Sequence, residues 1–192
     1  MKKPNGYDEA REAGEYTPVE LGGHYAVVKQ VTETQSRSGK DMIVVLFDFD
    51  KNDVQPGYFL KAFEDDTREE KKWPFNGSKY IMVLDYKDET KTSRNFKTFC
   101  SCIEKSNNMD IAWGGSNWSK QFNGKKIGVV FGEEEQEYNG ELHMRRLPRY
   151  FCRTEKVAEA SIPDAIYIND KKQPEAQTAP AGFTIAEEEI PF

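Results

Sequence analysis

GGHYAVVKQVTETQSRSGKDMIVVLFDF, residues 22–49, reads as two strands and the turn between them. Its first half, 22–34, is rich in β-branched and aromatic residues. It stops at the polar run QSRSGK (35–40), where Gly39 permits a tight reversal. DMIVVLFDF (41–49) is apolar on both alternating faces, as a strand covered on both sides requires. The expectation is an antiparallel hairpin at the centre of a β protein.

Outward from this hairpin, YFLKAFE (58–64) follows the turn signal Pro56-Gly57 and reads as a third strand, with Phe59, Lys61 and Phe63 alternating onto one face. A charged insertion, EDDTREEKK (64–72), leads into WPFNGSKYIMVLDY (73–86), whose second half suits a strand or a short helix. The period changes in TSRNFKTFCSCIEKSNN (92–108): Phe96, Phe99, Cys100 and Ile103 recur at i, i+3, i+4 and i+7, with Thr92 or Ser93 to cap the start and Asn107-Asn108 to end it. After a loop holding WGGSNW (113–118), KKIGVVFGEE (125–134) and ELHMRRLPRYFCR (141–153) return to strand character and are joined around Tyr138-Asn139-Gly140. Asn-Gly between β-rich runs is a strong hairpin signal.

Three strands, one helix and two strands match the OB-fold, a mainly β, five-stranded, partly open Greek-key barrel with its helix between strands 3 and 4. Four segments follow: an N-terminal arm (1–20), the OB-fold domain (21–156), an extension and flexible linker (157–182) and an acidic tip (183–192). Proline, alanine and polar residues replace apolar periodicity from KKQPEAQTAPAG (171–182) onward.

Charge divides unevenly across 192 residues. Residues 1–20 carry three basic and five acidic side chains, 21–156 carry 22 and 21, and 157–192 carry two and seven, which sum to −6. A polyanion would meet a nearly neutral body, so local patches decide its electrostatics. Cys100, Cys102 and Cys152 cannot all pair with one another, which fits a reducing cytosol, and no apolar run reaches the roughly 20 residues that span a bilayer.

The chain closes on Glu187, Glu188, Glu189, Ile190, Pro191 and Phe192. These residues closely resemble the C-terminus of bacterial and phage single-stranded DNA-binding proteins, in which several acidic residues precede Ile-Pro-Phe. At average residue usage such an ending arises by chance on the order of once in ten million. The resemblance implies a tip whose terminal aromatic enters an apolar pocket on a DNA-processing partner while the glutamates meet a basic rim. The body looks more like divergent phage or mobile-element proteins of this type than like the common bacterial domain, on GHYAVVKQVTETQSRSGKDMIVVLFDF (23–49) and, more weakly, WSKQFNGKKIGVVF (118–131). The implied setting is the cytoplasm of a bacterial cell, and the implied role is to coat single strands during replication, recombination or repair and to recruit other proteins.

Sequence-independent binding of single strands takes aromatic faces for bases and cations for phosphates. Phe59, Lys61 and Phe63 on one strand and Arg145, Arg149, Phe151 and Arg153 on another offer both by alternation. Trp73, Trp113 and Trp118 lie in glycine-bearing loops beside lysines, and Lys40 lies in the first hairpin turn. The phenylalanines suit barrel packing equally well, and each tryptophan suits a plug that anchors its loop. Pro148 points to an edge or bulge that would turn its neighbours.

No catalytic group, metal or cofactor is expected. Cys100-x-Cys102 on a helix splays its side chains about 200° apart, and no C-x₂-C or H-x₃-H pair accompanies it. His24 reads as a strand-start residue, and phosphate-loop and nucleophile-elbow motifs are missing. Two rival functions remain: an interaction module that presents the tip without binding DNA, and a divalent-metal nuclease built on EDD (64–66) or EEEQE (133–137).

Overall fold

A computed structural model describes residues 2–4, 7 and 17–169; the tip at 187–192 lies outside them. The chain is mainly β. Strands β1 (Gly22–Gln35), β2 (Asp41–Phe49), β3 (Ser78–Met82), β4 (Lys126–Tyr138) and β5 (Glu141–Cys152) form one antiparallel sheet in the order β3-β2-β1-β4-β5, with helices α1 (Tyr58–Glu64) and α2 (Arg94–Asn107) packed on it.

The opening hairpin forms where the sequence puts it. Asp41 pairs with Gln35 and Phe49 with Ala26, with one irregularity that leaves Lys29 unmatched between Val28 and Gln30. Both faces of β2 are buried from Met42 to Phe49, which explains its unbroken apolar run. The second hairpin turns on Asn139 and Gly140, both at positive φ (52° and 81°), the conformation a two-residue turn needs to match strand twist. A bulge omits Arg149 from the pairing, since Val130 faces Tyr150 while Phe131 faces Pro148. The proline thus sits beside the irregularity that tolerates it.

YFLKAFE (58–64) is not a strand but α1. Its apolar residues Phe59 and Phe63 are four apart, a spacing that one face of a strand and one face of a helix satisfy equally. The tie is broken from outside the segment: the buried carboxylate of Asp48 accepts hydrogen bonds from the backbone N–H of Phe59 and of Phe49, both at 2.9 Å. It thereby caps the first turn of α1 from the end of β2. The third strand is instead β3, inside the 73–86 stretch, and the described residues hold two α-helices rather than one.

α2 buries Phe96, Phe99, Cys100 and Ile103 as its periodicity requires. Ser93 caps it by accepting from Phe96 N–H at 3.1 Å, and its hydroxyl donates to the Met82 carbonyl at the end of β3. At the other end Asn108 adopts a left-handed conformation, while the Asn107 amide donates to the Lys126 carbonyl and accepts from Lys126 N–H. The helix is therefore fixed to β3 and β4 at its two ends.

The sheet curls so that its edges meet. Lys79 on β3 donates to the carbonyls of Pro148 and Arg149 on β5, at 2.9 and 3.0 Å, where a ladder hydrogen bond would otherwise be needed. Phe47, at the centre, packs edge-on against Phe59, Phe131 and Phe151. Beyond β5 the chain turns back, and Ile166 pairs in parallel with Glu134, exchanging hydrogen bonds with Glu133 and Glu135 on the stretch of β4 that β1 does not reach.

Candidate nucleic-acid interface

The polar side of α2 and the end of β5 border a groove of about 830 Å³. Five cations line it, Lys91, Arg94, Lys97, Arg153 and Lys156, against one carboxylate, Asp85. Arg94 and Lys97 are three residues apart on the face of α2 opposite its phenylalanines, while Arg153 and Lys156 follow β5 through a single 3₁₀ turn, Thr154–Lys156. Several of these cations hold neighbouring acids: Lys91 with Asp88 at 2.7 Å, Arg153 with Glu155 at 3.4 Å and Lys156 with Glu159 at 2.8 Å. Glu159 raises Lys156 above the usual lysine value through its hydrogen bond and charge. Water screens such exposed pairs strongly, so a phosphate can take over the cation at little cost.

An aromatic cleft of about 700 Å³ adjoins the groove, and Thr92 and Lys97 line both. Its aromatic wall is Phe96, Trp113 and Trp118. The Trp113 and Trp118 rings stack at 5.8 Å with 27° between their planes, and Phe96 stacks on Trp118 at 6.0 Å. Trp118 is held in the core by an edge contact to Phe122 at 4.7 Å, whereas Trp113 is 64% exposed. Trp113 thus presents an indole face to solvent with a second aromatic layer behind it, a rigid support for stacking. Gly114 and Gly115 follow it at φ +86° and +87°, backbone that other residues rarely adopt.

The aromatic, basic, aromatic row expected at 58–64 does not exist. Phe59 is fully buried in α1 against Phe47 and Phe49, and Lys61 is exposed. Phe63 is half-buried 5.7 Å from the Trp73 ring. Trp73 is itself a plug whose indole donates to the Gly77 carbonyl at 3.0 Å. Phe151 is buried between Phe47 and Phe99 because alternation on β5 sends it inward. Phe59, Trp73, Trp118 and Phe151 are core residues here, and only Trp113 of the proposed stacking residues offers a largely open ring.

The three arginines singled out from 141–153 go to three places. Arg145 lies 5.9 Å from the Tyr138 ring on the β4–β5 arm, and Arg149 turns back at the bulge to donate to the carbonyls of Glu133 and Asp164. Arg153 reaches the groove. Lys40 is ion-paired with Glu89 at 2.9 Å and sits over the Tyr86 ring. The groove cations Lys91, Arg94, Lys97 and Lys156 were not singled out from the sequence. Arg94 and Lys97 lie on the polar face of the predicted helix, which spacing alone gives no reason to separate from an ordinary solvated face, and Lys91 and Lys156 lie outside that helix.

Burial pushes the three thiols up, Cys100 to about 12 and Cys102 and Cys152 to about 11. The two ring nitrogens of His24 each lie 2.9 Å from an oxygen, one of the Asp53 carboxylate and one of the Glu20 carbonyl, and the ring stacks on Phe49 at 4.2 Å, a structural role. Among the described residues no group of three His, Cys, Asp or Glu side chains is placed to hold a metal ion, and no helix is long and apolar enough to cross a membrane. No protein-family model matches the chain, and a comparison with curated proteins finds no match over its sequence.

Proposed function

We propose that this chain is a single-stranded DNA-binding protein of a phage or mobile element, acting in the bacterial cytoplasm. It coats exposed strands largely without regard to sequence and recruits replication, recombination or repair proteins through Glu187–Phe192. The observation that carries the reading is the junction at Thr92 and Lys97, where a groove of five cations runs into a cleft walled by stacked indoles. Phosphates lie along the groove, and a base stacks on Trp113. The strand order β3-β2-β1-β4-β5, with edges joined through Lys79, supports an OB barrel as the scaffold. The tip reading rests on the resemblance of its six residues, and it makes the protein a platform as well as a coat.

Fluorescence anisotropy of a labelled oligo-dT across a salt series, with duplex and RNA competitors, tests this. Tight binding that weakens linearly in log salt is the expected outcome. No binding at low salt, with or without residues 170–192, overturns it and leaves the tip as the main activity.

A further inference from the structure

The aromatic cleft differs in charge from the groove it joins. Glu33, Asp41 and Glu104 border it against the single cation Lys97, so a phosphate is repelled from its interior and held at the boundary. The floor is apolar, with Met42, Ile43 and Val83 beside the aromatic wall. A flat, uncharged group bearing hydrogen-bonding edges suits this interior, and a nucleobase attached to a phosphate in the groove has that chemistry.

One atom narrows the class. Trp118 is only 9% exposed, and its indole Nε1 is the one buried side-chain polar atom without a hydrogen-bond partner among the described residues. A buried donor left in that state is unfavourable relative to a satisfied one. Trp73 shows the alternative within the same chain, since its buried indole donates to a carbonyl. Trp113 stacks on Trp118 at 5.8 Å, so a base reaches the buried indole N–H only when that ring is displaced.

We infer that the cleft is a nucleobase subsite in which Trp118 Nε1 donates to an exocyclic carbonyl, so that a base with such an oxygen is held in preference to one without. The inference rests on the single-strand reading above and deepens it. A single subsite of this kind adds a modest preference to an otherwise sequence-tolerant coat. Lys97 binds the phosphate of the inserted nucleotide, and Trp113 stacks on the base.

The test compares anisotropy affinities of a short oligo-dT with the same oligonucleotide carrying 2,4-difluorotoluene for thymine, which keeps the shape and loses the carbonyl acceptors. The full chain is expected to favour thymine by about 3- to 10-fold, the worth of one such hydrogen bond. Trp118→Phe should bring that ratio to one; because Trp118 packs between Phe96 and Phe122 the variant also loses stability, so its affinities are read at a temperature where circular dichroism shows it folded. Equal affinities in the unaltered chain, or a preference that survives Trp118→Phe, overturn the inference and leave the groove reading standing. Failure of both oligonucleotides to bind overturns the two together.

Discussion

Asp48 and Phe59 lie eleven residues apart and are joined by a 2.9 Å hydrogen bond from the Phe59 backbone N–H to the buried Asp48 carboxylate. The bond sets the first turn of α1 against the end of β2 and points Phe59 at Phe47. Asp48→Ala leaves the N–H groups of Phe49 and Phe59 without this acceptor. Chemical denaturation is expected to show a loss of about 3 kcal/mol, and Asp48→Asn, which retains an acceptor oxygen, a smaller one. Equal midpoints for Asp48→Ala and the unaltered chain would remove the cap from the account of α1.

On the proposed single-strand reading, Lys97 and Trp113 should contribute to binding in separable ways. Lys97→Ala should reduce the slope of log affinity against log salt by about 0.7, the release from one single-strand phosphate. Trp113→Ala should leave that slope unchanged and weaken binding by about 1–3 kcal/mol at every salt concentration. A common loss of slope in both variants would contradict the division between groove and cleft.

Burial and the nearby Arg149 charge lower Lys79 to about 8 from its ordinary 10.5. Between these values the unfolded chain binds a proton that the folded chain does not, so this residue makes stability rise with pH there, by up to about 1.4 kcal/mol per unit. Burial raises Tyr80 above its ordinary 10.0 and the three thiols above their ordinary 9.0, so these groups oppose the trend as pH climbs past about 9, equally in the unaltered chain and the variant. Stability of the unaltered chain and of Lys79→Met, compared from pH 8 to 10, should diverge in slope by close to one proton. Parallel curves would refute the assignment.

The raised thiols predict slow chemistry. With Cys102 and Cys152 near 11 and Cys100 near 12, iodoacetamide at pH 8 should label the folded chain about 100-fold more slowly than an open thiol. Half-buried Cys152 should react before the two buried cysteines of α2. Rapid labelling of all three by mass spectrometry would show that the α2 face opens readily.

Seven acids against two bases after residue 156 predict, on the proposed reading, that the C-terminal segment competes with DNA for the basic groove. Removing residues 170–192 should raise oligo-dT affinity at low salt and have a diminishing effect as salt screens both partners. An unchanged affinity would exclude the competition.

Wherever one periodicity fits and its alternative does not, the sequence resolves the element. The 41–49 run is too short and too uniformly apolar for an amphipathic helix, the 96–103 spacing does not alternate, and Asn139-Gly140 demands positive φ. At 58–64 both periods fit, and the deciding group, Asp48, is a carboxylate in another element that no local pattern reveals. The site was less legible for a related reason. Trp113 and Trp118 share the WGGSNW loop, yet one is open and the other buried, because Phe122 and Phe96 hold Trp118 from behind. The groove joins α2 to the end of β5, about fifty residues away in sequence, and a charge shared across that distance leaves no local trace.

The pairing of Ile166 with Glu134 fixes where the chain leaves the folded body. Twenty-three residues separate Asn169 from the end of Phe192, and whatever conformation they take, their span is capped at roughly 80 Å. A protein that captures Phe192 is therefore kept inside a sphere of that radius, centred beside the β4–β5 arm rather than on an unanchored end. On the proposed function, its local concentration at a bound strand would be set by that leash, and any change that loosens residues 163–168 from β4 would lengthen it.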